Sequence, residues 1–415
     1  MLDLLVIGAG LSGLLAAAWA QRAGASVRVL ATGAGATHWH AGSIDVLGYL
    51  PGASDVVAQP FAALPALFAA RPGHPYALLG DGALRAALAD FSSLAASLGL
   101  AYAGAAGNDA NLFLPSAAGA GRPVFLAPEA QVAGRMDVNQ PYLIVGFHAL
   151  RDFYPTVVAE NLRKQGFEAR AEFLPIEHVT TRKDFSTVHL AQALDDADRV
   201  QALAAALARI MRPGERVGLP AILGLQRHHQ ALTMLNALLP GPVFEIPTLP
   251  PSVPGVRLHN ALISGLHVDL GLTVTDFQAE NGRIDWVSTR SSARPVRHRA
   301  RHFLLATGGL LGGGFSSDAR GRVREVIFDL PLTTPQKRQQ WFRPDFLAAD
   351  HPVFRGGVTV GRDFRPVGYD RRPIYQNLWA AGNLLDDNDA IAERSREGIA
   401  VATAHAAVAR MVEAL

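Results

Sequence analysis

Residues 2–30 read LDLLVIGAGLSGLLAAAWAQRAGASVRVL, and the fold follows from this stretch. Leu2–Ile7 is a short apolar run ending at glycine, the pattern of a strand buried on both faces in a parallel sheet. Gly8-Ala9-Gly10-Leu11-Ser12-Gly13 is G-x-G-x-x-G. Ser12–Ala23 predicts a helix and Ser26–Leu30 a second strand, so the glycines occupy the first turn of a β-α-β unit. There the first glycine allows the tight turn, the second lets a pyrophosphate approach the backbone, and the third lets helix pack closely on strand. The helix start offers unpaired N–H groups and partial positive charge to phosphate oxygens. Gly8, Gly10, Leu11, Ser12 and Gly13 are therefore candidate cofactor-binding residues.

One part of a dinucleotide site is missing. An Asp or Glu roughly 20 residues further on normally grips the ribose hydroxyls. After Leu30 come Ala31, Thr32 and Gly33, and no acid lies between Asp3 and Asp45. Either Thr32 supplies a single hydroxyl, or the adenosine half is weakly held or absent. Both FMN and FAD stay open.

Composition narrows the function classes. A chain of 415 residues, 49% hydrophobic and 18% charged, is globular. With 38 basic and 36 acidic residues it has no nucleic-acid footprint. It has no cysteine, which excludes disulfides, Cys-ligated zinc and iron–sulfur centres held by this chain. No metal-ligand set stands out, and His228-His229 reads as surface. Leu4–Ala20 is uncharged, but Asp3 precedes it where a signal peptide would carry a base. The expectation is a cytoplasmic chain without a membrane span.

Further along, residues 31–80 read as loop and Leu84–Leu98 as a helix. Tyr142–Phe147 reads as a strand, and Phe153–Lys164 and Val200–Met211 as helices. The prolines at 247, 250, 251 and 254 make Val243–Ser252 an extended connector. Val274–Asp276 and Ile284–Thr289 flank Asn281-Gly282, a strong hairpin signal. His302–Ala306 and Leu378–Ala381 read as strands, and Ala392–Val412 as a long final helix.

Ala306-Thr307-Gly308-Gly309 closes one strand, and Asn377–Asn383 (NLWAAGN) closes another. With Arg355-Gly356-Gly357-Val358 and Phe364-Arg365-Pro366 before the last strand, this layout resembles the flavin domain of the fumarate reductase and succinate dehydrogenase superfamily. Three further stretches, His38–Leu47 (HWHAGSIDVL), His74–Gly80 (HPYALLG) and Leu249–Asn260 (LPPSVPGVRLHN), are similar to the B-subunit family of anaerobic glycerol-3-phosphate dehydrogenases.

The resemblance implies an α/β fold: a discontinuous Rossmann-like flavin-binding domain, a parallel sheet with a β-meander, over 1–50, 261–315 and 355–415. It implies an inserted α+β cap over 51–260 with 316–354. It adds Ala306, Thr307, Gly308, Gly382, Asn383, Gly398 and Ile399 to the cofactor-binding candidates, with Thr32, Gly42 and Ser43. Asn383 departs from the family, which usually has an acid there. The implied activity is flavin-dependent oxidation of sn-glycerol 3-phosphate to dihydroxyacetone phosphate in a quinone-linked complex. The implied partners are a catalytic subunit and an iron–sulfur membrane-anchoring subunit, with the chain peripheral to the inner face of the cell membrane through them.

Oxidising a secondary alcohol also requires a base for the hydroxyl proton and cations for the phosphate. His38 and His40 are candidates for the first, Arg355 and Arg324 for the second, and Arg257 and His259 follow the proline connector. Two alternatives stay open: a non-catalytic electron-transfer or scaffold subunit, and a stand-alone flavoprotein acting on another small hydroxy or unsaturated acid.

Overall fold

A computed structural model describes residues 1–105, 109–290, 294–345 and 350–414. The chain divides into two compact units, Met1–Ala36 with Asp45–Leu98 and Ala261–Leu415, and Thr37–Ile44 with Gly99–Asn260.

In the first unit, strand β1 (Leu2–Ile7) leads through the glycine turn into helix α1 (Leu11–Arg22) and strand β2 (Val27–Ala31). Later come β3 (Val268–Leu270), β4 (Thr273–Glu280), β5 (Arg283–Arg290), β6 (Val296–Leu305) and β7 (Leu378–Ala380). The sheet order is β3-β2-β1-β6-β5-β4, with β7 also on β6. The long β6 explains this branching. Its second half pairs in parallel with β1 and β7, and its first half pairs antiparallel with β5. One strand thus joins a parallel layer to a β-meander. The β4–β5 turn is Asn281-Gly282, with φ of 50° and 71°, the positive pair a two-residue hairpin requires.

Helix α1 is buried from Leu11 through Ala20, as expected for a helix apolar on every side. Its alanines let it pack closely on the C-terminal helix α2 (Arg396–Val412), where Trp19 meets His405 edge-on at 5.1 Å. The helix Asp81–Ser97 packs on α2 as well, and His405 Nε2 lies 2.7 Å from Asp90. Residues 51–98 therefore sit with the flavin-type sheet, and 316–354 fall in the same unit. Residues 60–70 and 75–79 are helical rather than loop, each starting on a proline at its first turn, where no N–H is needed.

The second unit has its own sheet of four strands, ordered Val243–Ile246, Arg216–Pro220, Tyr142–Phe147, Ala169–Leu174 and all parallel. Helices Pro155–Lys164, Ala197–Ile210 and His228–Leu238 pack against it. The expected proline connector is a strand at Val243–Ile246 followed by the start of helix Val253–Ile263, which tolerates Pro254 in its first turn. The fully buried Arg216 lies over the Tyr142 ring at 3.8 Å and donates to the carbonyls of Ala133, Arg135 and Val138.

The HPYALLG stretch clamps the first unit. His74 and Glu393 are both buried, 3.1 Å apart between Nε2 and Oε2. His74 Nδ1 accepts the Tyr76 N–H, so the Nε2 proton is the one that faces Glu393. Glu393 also accepts from Asp389 N–H and Ser395 Oγ–H, and its carbonyl accepts from Gly48 and Tyr49. The Tyr76 hydroxyl donates to Val46 O. Burial pushes the Glu393 carboxyl up, but the hydrogen bonds from His74 and the Asp389 amide, with the Arg71 charge, together hold the carboxyl below the usual Glu range.

A carboxyl lowered by folding stabilises above its unfolded pKa and loses that contribution as pH falls through the folded value. Glu393→Ala leaves His74 and the Asp389 and Ser395 donors buried without their acceptor, and is expected to cost about 3 kcal/mol. In urea titrations between pH 3 and 7, Glu393→Gln should be destabilised at neutral pH and lose less stability than the wild type below about pH 4.5. Parallel acid limbs would contradict this.

Candidate functional site: a glycine cradle at the carboxyl ends of the parallel strands

The carboxyl ends of β1, β2, β6 and β7 converge. Gly8 N–H donates to Leu30 O, Ala306 N–H to Ile7 O, and Ala381 N–H to Leu305 O. A ligand of an open parallel sheet binds at such ends. Gly8 has φ +119°, and a Cβ there would lie 2.3 Å from Ala306 O. A Cβ on Gly13 would lie 2.0 Å from Gly8 O, so only glycine lets α1 seat on the turn. Gly10 differs: a Cβ there meets nothing within 4 Å. It caps α1 without a side-chain hydrogen bond, and the first turn carries no acid. The N–H groups of Leu11, Ser12 and Gly13 therefore open onto space with no protein anion to meet them.

Two further turns close around this opening. A Cβ on Gly309 would lie 2.5 Å from Asn383 O, and one on Gly382 would lie 2.2 Å from Ser12 Oγ. Thr307 Oγ1 and Asn383 Oδ1 are buried and have no hydrogen-bond partner among the described residues. Buried polar atoms are normally satisfied, so a ligand is the natural partner for both. An uncapped helix start, an open Gly10 and two orphaned oxygens together fit the phosphate and ribityl chain of a flavin. Gly8, Gly10, Leu11, Ser12, Gly13, Ala306, Thr307, Gly308, Gly382 and Asn383 are thus brought together.

Other candidates are placed differently. Thr32 Oγ1 lies 3.2 Å from Thr273 Oγ1, already in a hydroxyl pair. Asp269, on β3 beside β2, is held by Arg28 at 2.6 Å. The Gly398 and Ile399 amides are committed to Asp45 O and Ser395 O, and Gly398 is pressed against the Tyr76 hydroxyl. Those amides are satisfied by the protein itself.

His38, His40, Gly42 and Ser43 belong to the second unit. His40 is buried, and its Nδ1 accepts the Gly42 N–H at 2.8 Å, so that amide is occupied. Ser43 Oγ accepts from Arg122 at 3.0 Å, and Gln131 ties Arg122 to Ala41 O. His38 lies edge-on to Trp39 and His259 at 5.7 and 5.8 Å. Arg257 is buried and bidentate on Glu245 at 2.6 and 2.8 Å, with Nε on Gly224 O, so it is a structural residue rather than a phosphate ligand. His228 is half-buried, correcting its surface reading; burial and Arg257 bring it down to about 4.

In the first unit, Arg324 stands exposed on the ribbon Phe315–Ser317/Val323–Glu325, one residue before the buried Glu325. Arg355 is half-buried at the end of the turn Pro352–Arg355, and its carbonyl accepts from Asp387 N–H. The Gly356-Gly357-Val358 segment pairs with residues 384–386: Val358 N–H donates to Leu384 O, and Asp386 N–H to Val358 O. The Arg355 segment is therefore joined to the Gly382-Asn383 turn. Sequence reading missed Asp386 on this seam. It is buried and accepts from Thr359 Oγ1 at 2.5 Å. Burial raises it above the usual Asp range, the Thr359 hydrogen bond partly offsets this, and the neighbouring Asp387 charge adds to the rise. Among the described residues no group of His, Asp and Glu is placed to hold a metal ion.

Residues 3–394 match the FAD binding domain family. The chain is 32% identical over 429 residues to a Halobacterium salinarum protein named as the probable B subunit of anaerobic glycerol-3-phosphate dehydrogenase, covering 100% of this chain and 98% of that one. It is 30% identical over 426 residues to the anaerobic glycerol-3-phosphate dehydrogenase B subunit of Vibrio cholerae, covering 99% and 96%. Among solved structures, a flavocytochrome c3 fumarate reductase is similar with a TM-score of 0.42 at 11% identity, covering 99% of this chain and 78% of that one.

Because a Cβ on Gly10 meets no protein atom, Gly10→Ala should leave the melting temperature of the flavin-free protein within about 2 °C of wild type. It should weaken flavin binding at least tenfold, about 1.4 kcal/mol, in a fluorescence-quenching titration. Equal affinity for both proteins would remove the ligand from the start of α1.

Proposed function

The chain belongs to the FAD binding domain family and, within it, to the B subunits of anaerobic glycerol-3-phosphate dehydrogenase, and from that premise we propose that it is a flavin-dependent oxidoreductase subunit oxidising sn-glycerol 3-phosphate to dihydroxyacetone phosphate. The observation that carries this reading is similarity along the whole chain to relatives with that name, not to a flavin-binding fragment alone.

In this reading Gly10 and the first amides of α1 hold the flavin phosphate, and Thr307 and Asn383 take its remaining polar groups. A bound flavin supplies the two-electron acceptor. The chain's own roles are to bind the phosphate monoester, to present the carbinol carbon and to take the hydroxyl proton. Arg355, half-buried beside the Gly382 turn, is the cation proposed for the phosphate. His38 and His40 are kept as proposed bases on residue type alone.

With no cysteine in the chain, any iron–sulfur centre of the complex belongs to another subunit. We place next to it a catalytic partner and an iron–sulfur membrane-anchoring subunit, with the quinone beyond them and this chain on the cytoplasmic side. No helix among the described residues is long and apolar enough to cross a membrane.

A second reading has its own observation. His40 Nδ1 and the Gly42 amide are engaged with each other, Arg257 with Glu245, and Arg324 faces solvent. The expected base and cations are thus largely used elsewhere, which favours a flavin-bearing electron-transfer subunit whose partner oxidises the substrate.

The test is an anaerobic visible spectrum of the purified, flavin-loaded chain before and after glycerol 3-phosphate. Bleaching of the flavin band is the expected result. A band that stays oxidised alone but bleaches when the partner subunit is added assigns the chemistry to the partner. Chromatography of the released cofactor distinguishes FMN from FAD, the choice that Thr32 leaves open.

A further inference from the structure

We propose that Asp386 accepts the hydroxyl proton of the alcohol substrate, with Thr359 and Thr333 as its positioning residues. This rests on the dehydrogenase reading above and deepens it by naming the base.

The buried acids of the first unit are held in different ways. Glu325 accepts from the backbone N–H groups of Ile327 and Phe328. Asp389 accepts from Ala392 N–H and caps its own turn. Glu393 is bound to His74, Asp389 N–H and Ser395. Amides only donate, so they serve the carboxylate and not the acid; Glu393 also has the Ser395 hydroxyl, but its other partners, the His74 Nε2–H and the Asp389 amide, only donate.

The carboxylate of Asp386 is held by one hydroxyl, Thr359 Oγ1 at 2.5 Å, while the nearby Thr333 hydroxyl, bonded to the Gly357 backbone, and its own amide contribute less. A hydroxyl donates to a carboxylate and accepts from a carboxylic acid, so Asp386 keeps a partner in both protonation states. A reversible proton acceptor needs that property. Asp386 is also the least enclosed of these acids, 9% exposed against 7% for Glu397, which pairs with Arg396, 3% for Asp389 and 1% for Glu325 and Glu393, and Thr333 stands exposed. Its raised proton affinity brings it closer to working pH, where a general base is most effective.

The surroundings point to a polar ligand. Thr334 Oγ1 is buried and unpartnered, and a Cβ on Gly356 would lie 2.5 Å from it. Asn383 Oδ1 is orphaned on the segment that leads to Asp386. Arg355, whose carbonyl accepts from Asp387 N–H, supplies positive charge for a phosphate monoester. The charged groups around Asp386 include Asp387 and Asp389 on its own turn and Arg355, whose charge also acts on Asp350; Asp387 accepts from Gly73 N–H and faces Arg71 at 3.9 Å.

The step balances. The substrate O–H bond breaks and its proton passes to the Asp386 carboxylate. The electron pair left on oxygen forms the second C–O bond, and the carbinol hydrogen leaves with two electrons to oxidised flavin. The products are the ketone, reduced flavin and protonated Asp386, which later releases its proton to water past Thr333.

The experiment compares flavin-loaded wild type, Asp386→Asn, Asp386→Glu and Thr359→Val. Rates of anaerobic flavin bleaching by glycerol 3-phosphate are measured across pH, and infrared titration without substrate follows the protonated carboxyl band. Asp386→Asn should keep its flavin spectrum, bleach at least ~100-fold more slowly and lose the acid limb of the profile. Asp386→Glu should restore part of the rate, and Thr359→Val should move the limb. The infrared band that titrates above the ordinary Asp range should vanish in Asp386→Asn whether or not substrate is turned over. Wild-type rate with the same limb in Asp386→Asn, or an unchanged infrared band, overturns the proposal and leaves the dehydrogenase reading standing. A wild type that never bleaches overturns both. Should Asp386→Asn fail to load flavin, an unmoved limb in Thr359→Val overturns the assignment.

Discussion

The structure depends on the uncapped start of α1. A helix that opens with bare N–H groups is costly unless something negative meets them. Here the surroundings keep that position open. Gly8 turns the chain back from β1 at a φ that side chains avoid, against the carbonyl of Ala306. Gly13 lets the helix sit on that turn, and Gly382 brings the last parallel strand against Ser12. The close contacts fall on three segments far apart in sequence, and they frame Gly10, whose own Cβ position is open.

Within each unit the protein handles buried charge by pairing it. His74 with Glu393, Arg257 with Glu245 and Arg216 on Tyr142 each place an ionisable group out of water beside a specific partner. Such pairs do little for net stability but are expensive to break, so they define a geometry. Glu393 joins the loop at 48–49, the turn at 389 and the approach to α2 in one network. Asp386 stands apart because a threonine hydroxyl, that of Thr359, is the main partner of its carboxylate.

This contrast bears on function. Residue type alone made His40, Arg257 and Arg324 attractive as base or phosphate ligands. Packing commits the first to a backbone amide and the second to a carboxylate, and leaves the third in solvent. The acid that packing leaves with a reversible partner lies on the seam between the Arg355 and Gly382 segments, in a run of Asp and Asn that resembles a surface loop.

The sequence by itself determined the elements that follow from short-range rules. Glycine spacing after an apolar run specified the β-α-β turn, Asn281-Gly282 specified the hairpin, and the absence of cysteine removed whole classes of redox centre. The order of three glycine segments was enough to recognise a flavin domain, and the stretches at 38–47, 74–80 and 249–260 carried its family. Helices that begin on proline at residues 60, 75 and near 254 were hidden, because proline reads as a breaker until its place in the first turn is known. Only the tertiary structure decided which polar groups are satisfied. His74 meets Glu393 across 319 residues, and Thr359 meets Asp386 across 27. A polar residue looks the same in sequence whether water, an ion pair or a ligand completes it, and that choice is made by neighbours that only folding supplies.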